Sequence, residues 1–480
     1  MSAVADVGHS RSRRALAVNA GKATRWLSRQ LGRGGGTTLP GLVVERLDPT
    51  ALRSLAAQVP NGCVFVSGTN GKTTSTRILV DAAGRSGLEP LTNREGSNLL
   101  RGLATTLLVH TDALGALRVS DRAIGVFEVD EGHLPDAIRM IQPRVVLITN
   151  LLRDQLDRYF EIDWVAHLWQ EALVELPPSS KVILNADDPQ VAYLGADLPN
   201  PVLYYGLEDG RHARAGLEHT SDSRRCLRCG TDLQYSHVFY AHLGHYGCPG
   251  CGWQRPDPRV TAWRVDLKGV EGSTVQLVTP SGAHEDLDLP LGGLHNVYNA
   301  LAAAATANAL GLDTAAIRAA VAGATSPFGR FERFSLDGRS ACLALVKNPS
   351  GFNEQLRLAA SDERPKGLML ALNDNGPDGR DVSWIWDVDL ERLVAGVQFL
   401  VCSGRRAQDL AVRLKYAGLL EGDPPPDLIV EPDVVQAFQK GMAKVDPGFG
   451  VLYVLPTYTA MWTLRESLAR QGHLKTFWRS

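Results

Sequence analysis

The chain has 480 residues, of which 44% are hydrophobic and 21% charged, and its formal net charge is -2. This describes a globular protein of two or three domains and excludes the overall basic footprint of a nucleic-acid-binding protein. No run of about 18 apolar residues occurs, so no transmembrane helix is expected. The start of the chain lacks the apolar stretch of a signal peptide.

The first 33 residues carry Arg11, Arg13, Arg14, Lys22, Arg25, Arg29 and Arg33 against Asp6 alone. A helix is predicted over 18–31, solvated and loose as chain ends commonly are. Attraction to an anionic membrane surface is the other reading of its charge. The glycines at 32 and 34–36 then require a loop. Residues 62–67 read as a buried strand, followed by Gly68-Thr69-Asn70-Gly71-Lys72-Thr73-Thr74 and a helix over 73–86. Apolar runs at 122–129, 144–149 and 181–184 are further strands, and their alternation with helical stretches predicts a parallel α/β sheet. A cysteine-rich segment at 224–253 lies in charged, turn-rich sequence, as an insertion at the edge of that domain would. An alanine-rich helix is predicted over 296–310 and a boundary at 326–329. A second α/β pattern follows, with strands at 367–372, 396–402 and 450–455. The expected division is a basic helix and glycine-rich loop (1–55), a nucleotide domain with its insertion (56–325) and a second α/β domain (326–480).

A strand that feeds a glycine turn and then a helix N-terminus makes an anion site, because backbone N–H groups and the helix dipole converge on a phosphate. Lys72 would neutralise the outer phosphates of ATP, and the Thr73 hydroxyl would reach magnesium. The longer form of this motif is not met, since Val66 stands where its first glycine would be.

Two CxxC pairs, Cys226 with Cys229 and Cys248 with Cys251, are separated by 18 residues. Four thiolates at this spacing suit a tetrahedral, closed and therefore structural zinc site. His242 and His245 lie inside the loop and are expected to be bystanders. Cys63, Cys342 and Cys402 sit singly in apolar runs, which fits reduced thiols rather than a disulfide framework.

Gly68-Thr69-Asn70-Gly71-Lys72-Thr73-Thr74 resembles the ATP loop of the Mur ligases and folylpolyglutamate synthases. Further segments agree. Glu128, in Phe127-Glu128-Val129-Asp130-Glu131, resembles the family's magnesium-binding glutamate. The stretch from Thr149-Asn150 to Asp157 resembles its TN…DHLD segment, with Gln155 where the family has histidine. His295-Asn296-Val297-Tyr298-Asn299 resembles the helix whose asparagines, here Asn296 and Asn299, contact adenine. Arg330 matches the arginine that reaches the terminal phosphate, and Lys347 a lysine that opens the C-terminal domain. No lysine lies between Asp157 and Lys181, where many members carry a carbamoylated one. The phosphate loop begins at residue 68, which leaves no room for the nucleotide-sugar domain with which ordinary Mur ligases start. The resemblance implies a Mur-ligase-like P-loop ATPase domain with an inserted four-cysteine zinc ribbon, followed by a Rossmann-like α/β C-terminal domain. Its cofactors would be ATP, Mg²⁺ held by Thr73 and Glu128, and structural Zn²⁺.

Within the family, three segments resemble one branch in particular: 32–41, 92–98 and, most specifically, 373–387. That branch supplies the ligase-like subunit of the lipid II isoglutaminyl synthases. The resemblance implies ATP-dependent activation of the α-carboxylate of D-glutamate in the lipid II stem peptide as an acyl phosphate. Ammonia from a GatD-like glutamine amidotransferase subunit then gives D-isoglutamine, at the inner face of the plasma membrane. It also implies that an aspartate of this chain assists the partner's cysteine–histidine pair. Asp381 is favoured, with Asp378 and Asp387 as alternates, although all three also suit loop and capping positions. Asn93, Arg94 and Asn98 are candidates for contact with lipid II. Two other readings stay open: a free-standing amino-acid ligase, and a nucleic-acid-binding NTPase that uses the ribbon and Arg224, Arg225, Arg228 and Arg255.

Overall fold

The computed structural model describes residues 2–30, 38–93, 97–154, 162–218, 221–326, 329–392, 396–421 and 426–474. Among the described residues, eleven strands precede residue 290: β1 Cys63–Ser67, β2 Glu89–Thr92, β3 Ala123–Glu128, β4 Val145–Ile148, β5 Lys181–Asn185, β6 Val202–Leu207, β7 Gln234–Tyr240, β8 Leu243–Gly247, β9 Val260–Leu267, β10 Ser273–Val278 and β11 His284–Leu289. Nine of them form one sheet in the order β11-β10-β9-β6-β5-β4-β1-β3-β2. It is parallel from β2 through to β9 and antiparallel at β9-β10-β11.

The parallel strands are buried on both faces, which is why they read as unbroken apolar runs. Val64 and Val66 of β1 point to one side, among Ile78, Leu79, Ala300 and Ala304. Phe65 points to the other, among Leu103, Phe127 and Trp169. Each such side chain stabilises the fold by about 1.5–3 kcal/mol. The alanines of the helix Leu294–Leu310 let it lie close over the sheet, and Gly311 at φ +75 ends it in the left-handed conformation. The chain leaves β1 for β2 at the edge but leaves the neighbouring β3 for β4 on the other side of β1, so the connections diverge between β1 and β3. A crevice opens beyond the carboxyl ends of strands at such a switch point, and the phosphate loop occupies it.

The N-terminal helix differs from expectation. It spans Ser2–Gln30 and is docked rather than solvated. Ala17 and Val18 are fully buried with Val44 and Leu108. Gly21 permits this approach, since a Cβ there would lie 2.7 Å from Val44 Cγ2.

The second sheet contains β12 Glu332–Leu336, β13 Arg339–Leu343, β14 Lys366–Ala371, β15 Val397–Ser403, β16 Asp427–Glu431 and β17 Val451–Pro456, in the order β12-β13-β17-β14-β15-β16. All its pairings are parallel except the antiparallel β12–β13 edge. Its helix Pro349–Ala360 faces the first domain. There the half-buried Arg357 and Arg214 form an ionic cluster with the buried Glu354 and Glu218, and His295 lies 3.6 Å from Glu354.

Candidate active site

The phosphate loop is held open by its neighbours. Thr149 Oγ1 and Asn150 Nδ2 donate to the Asn70 carbonyl at 2.8 and 3.0 Å, and Asn150 Oδ1 accepts from the Asn70 N–H at 2.9 Å. Thr69 Oγ1 donates to the Leu152 carbonyl at 3.0 Å and accepts from Leu152 N–H at 2.9 Å. The Thr149–Leu152 segment is therefore the clasp of the loop. Gly68 and Gly71 have φ of +127 and +88. A Cβ would lie 2.2 Å from Thr149 Oγ1 at the first and 2.0 Å from Asn299 Oδ1 at the second, so both positions need glycine. Asn299 in turn donates to Asn296 Oδ1 at 3.1 Å, which places both candidate adenine contacts beside the loop. Thr74 is buried in the first turn of the helix Lys72–Arg85.

Lys72 and Thr73 each meet a carboxylate from the end of β3. Thr73 Oγ1 donates to Glu128 Oε2 at 2.8 Å. Lys72 Nζ pairs with Glu131 Oε2 at 2.9 Å and also donates to the Thr69 carbonyl at 3.2 Å. A hydroxyl and a carboxylate side by side are the hard oxygen donors magnesium prefers, so Thr73 and Glu128 fit that ion. Burial raises the Glu131 carboxyl above its ordinary range, partly offset by the ammonium groups of Lys72 and Lys347. Burial alone would lower Lys347, but the carboxylates of Asp154 and Glu131 outweigh it and raise this lysine. Lys347 Nζ bonds Asp154 Oδ2 at 2.5 Å across the domain boundary. Arg330, between Gly329 at φ +70 and Phe331 at φ +58, lies near enough to oppose the Lys347 charge. Asn348 Nδ2 donates to Asn70 Oδ1 at 3.1 Å, so the second domain also touches the phosphate loop.

Other candidates are placed differently. Asn93 is buried, and its side chain clasps the backbone of Glu128, accepting from the N–H and donating to the carbonyl at 2.9 Å each. It thus fixes the end of β3 from within rather than facing outward. Asn98 is half-buried, and Arg94 and Gln155 lie outside the described residues. Lys181 donates to the Ala309 carbonyl at 2.6 Å, at the start of β5 and away from the carboxyl-end crevice. Among the three aspartates, Asp378 is buried and accepts from Thr459 N–H at 2.7 Å, and Asp387 pairs with Arg153 at 3.0 Å. Asp381 is exposed, and among the described residues its one hydrogen bond is a local one, accepted from Ser383 N–H at 2.8 Å. Burial pushes the thiols of Cys63 and Cys402 up to about 12 and that of Cys342 up to about 11, which keeps them unreactive.

The four clustered cysteines come together. Their sulfurs all lie within 4.8 Å of one another, with Cys226–Cys251 at 3.6 Å and Cys229–Cys248 at 3.4 Å. Zinc bonded to tetrahedral thiolates separates them by about 3.8 Å. The two CxxC turns are built alike. Gly230 N–H donates to the Cys226 carbonyl at 2.8 Å and Gly252 N–H to the Cys248 carbonyl at 3.0 Å. The two glycines have φ of +76 and +74. Hydrogen bonding with Thr231 lowers the Cys229 thiol, toward the thiolate a metal needs, while burial and the neighbouring thiols raise that of Cys251. Donor set and spacing both fit zinc. His242, fully buried near Asp188, and His245, bonded to the Leu207 carbonyl at 2.7 Å, are outside the cluster. Arg255 is turned inward, 10% exposed, and locked to Asp187 at 2.6 Å and Glu208 at 2.8 Å. Asp187 also accepts from Tyr298 at 2.6 Å, so one carboxylate ties the ribbon to the helix that bears Asn296 and Asn299.

The class follows from this arrangement. A glycine loop on the central strand, clasped by a Thr-Asn segment and faced by a second α/β domain, is the architecture of a Mur ligase. Solved structures of similar fold include a pseudomurein peptide ligase type C from Methanothermus fervidus, at a TM-score of 0.64 and 24% identity over 85% of this chain and 78% of that one. MurF from Acinetobacter baumannii aligns at a TM-score of 0.63 and 19% identity, over 90% of this chain and 80% of that one. The Mur ligase middle domain family matches residues 66–246, and the MurT ligase C-terminal family matches 345–461. The lipid II isoglutaminyl synthase (glutamine-hydrolyzing) subunit MurT of Staphylococcus aureus strain N315 is 34% identical over 95% of this chain and 97% of its own length. The corresponding subunit of Streptococcus pneumoniae strain ATCC BAA-255 / R6 is 33% identical over 95% and 96%. The chain belongs to the MurT family.

Proposed function

We infer that this chain is the ATP-dependent ligase subunit of a lipid II isoglutaminyl synthase. The observation that carries the reading is the near full-length match to subunits of that name, which includes the C-terminal domain that meets the phosphate loop. A carboxylate is a poor electrophile at neutral pH, so it must first be given a leaving group. An oxygen of the D-glutamate α-carboxylate attacks the γ-phosphorus of ATP, the bond to the β-phosphate oxygen breaks, and ADP leaves. Ammonia then attacks the acyl carbon, and inorganic phosphate departs with the bonding electron pair. A GatD-like glutaminase would supply the ammonia.

The chain's own residues divide this work. Gly68, Thr69, Asn70, Gly71 and Thr74 shape the phosphate cradle, and Asn296 and Asn299 face the base. Lys72 and Arg330 offset the charge that develops on the transferring phosphoryl group. Thr73 and Glu128 would hold Mg²⁺, which neutralises phosphate oxygens when bound. Glu131 positions the Lys72 ammonium, and Lys347 stands where the second domain closes on the site. Asp381 is the aspartate we assign to the partner's histidine, because its carboxylate is exposed while Asp378 and Asp387 are engaged elsewhere. Cys226, Cys229, Cys248 and Cys251 would bind structural zinc.

The test combines the purified chain, a co-expressed glutaminase partner, ATP, Mg²⁺, glutamine and lipid II. Mass spectrometry then looks for replacement of one hydroxyl by an amine. Product that disappears with Lys72→Ala supports the reading. ATP turnover without amide, whatever the partner, overturns it.

A further inference from the structure

Between residues 16 and 27 the helix Ser2–Gln30 carries apolar side chains on two opposite sides. Ala17, Val18 and Gly21 are spent on docking to the body of the protein. The opposite side exposes Leu16 by 65%, Trp26 by 62% and Leu27 by 50%. Leu16, Ala23 and Leu27 follow one another at helical spacing and so share one face. Leu39, which begins the next helix, Leu39–Leu47, is exposed by 50%.

Charge indicates what covers this face. The first 33 residues hold seven basic side chains and one acidic, in a chain whose net charge is -2. Arg13 donates to the Leu47 carbonyl and Lys22 to the Thr111 carbonyl, and neither has a carboxylate partner among the described residues. A second copy of the chain would set like charge against like charge. A nucleic acid would use the cations but leave the tryptophan and leucines without a role. An anionic bilayer uses both: leucines enter the acyl boundary, tryptophan sits at headgroup level, and arginine and lysine meet lipid phosphates.

Position agrees with charge. Gly21 packs against the Pro40 carbonyl and Gly41 against the Arg101 backbone. Leu39, two residues before Gly41, therefore lies by the start of the helix Leu100–Leu108, which follows in sequence the Asn93 that holds Glu128. We propose that the outward face of the N-terminal helix, with Leu39, is a docking surface for an anionic phospholipid membrane. Its benefit to catalysis rests on the lipid II reading, because an acceptor on a lipid carrier would then meet the site from the surface on which the protein lies.

The experiment is co-sedimentation of the full chain with vesicles of phosphatidylglycerol and phosphatidylcholine, and with phosphatidylcholine alone. Wild type is expected to bind the anionic vesicles, less so at raised salt. A triple variant, Leu16→Ser with Trp26→Ser and Leu27→Ser, should bind about tenfold more weakly or worse while its thermal unfolding is unchanged. Absence of binding to anionic vesicles overturns the proposal, as does equal binding by the triple variant. Concentration-dependent dimerisation lost in that variant would assign the face to a second copy, and DNA or RNA binding lost in it would assign the face to nucleic acid. Amidation of detergent-solubilised lipid II by the chain with its glutaminase partner is read in parallel. Its failure while vesicle binding persists would sink the proposed reaction and leave the membrane surface standing.

Discussion

The phosphate loop and the cysteine ribbon are both glycine-turn structures built to hold an ion, yet they are stabilised in opposite ways. The loop is complete without a ligand, because Thr149, Asn150, Asn299 and Leu152 satisfy or shape it from outside. The ribbon hangs on a small core of Cys226, Leu233, Tyr246, Cys248 and Trp253 against Ala192, with four sulfurs converging on one point. Thiolates so crowded repel one another unless a cation lies between them. Removal of a phosphate-binding side chain should therefore act on chemistry first, while removal of a ribbon thiol should act on local fold first.

The largest expected effect is on rate. The double variant Lys72→Ala with Glu131→Gln, which neutralises the buried carboxylate that loss of Lys72 would otherwise leave unpaired, should lower amide formation by about 10²–10³-fold with a thermal midpoint close to wild type. A large fall in that midpoint would break the contrast. Next is Cys248→Ser, which should abolish the roughly one equivalent of zinc expected per chain and open residues 221–259 to proteolysis. Intact protease resistance without metal would show that the ribbon's apolar core suffices alone. Asp187→Asn acts on the joint between the two regions. It removes the charge facing Arg255, a buried pairing whose loss costs about 3 kcal/mol or more, and denaturant unfolding should show it. The smallest effects come from a matched pair. Gly252→Ala, at φ +74 with nothing within 4 Å of the new Cβ, should cost about 1–2 kcal/mol in unfolding. Gly71→Ala, at φ +88 and 2.0 Å from Asn299 Oδ1, should cost more and also weaken ATP binding. Equal costs would mean that Asn299 yields freely and does not brace the loop.

Local signals made both regions readable in the sequence. Glycines at fixed offsets, an apolar strand ahead of them and paired cysteines each report a conformation through adjacent residues. β1, β3, β4 and β5 stand where apolar runs placed them, because strands buried on both faces leave no other pattern. What stayed hidden depends on distant partners. Lys72 meets Glu131, 59 positions away, and Asn348 meets Asn70 across 278. Asn93 looked like a surface contact because an amide in a polar loop carries no mark of the backbone it will clasp. Charge is what marks the N-terminal helix in the sequence, while Ala17, Val18 and Gly21, small and inconspicuous, form its docking face. Nor could spacing separate Asp381 from Asp378 and Asp387, since what distinguishes them is Thr459 and Arg153 arriving from elsewhere.

The amide pair between Asn70 and Asn348 has a mechanical consequence. Each asparagine offers both a donor and an acceptor, so the pair is self-complementary and carries no charge. Water can replace such a contact at a net cost of about 1 kcal/mol per hydrogen bond. At the phosphate loop itself the two halves of the molecule thus meet through a fastener that strands no ion when it opens. Lys347–Asp154 and Arg357–Glu218 cross the same boundary as ion pairs, so any parting of the halves is resisted there rather than at the loop.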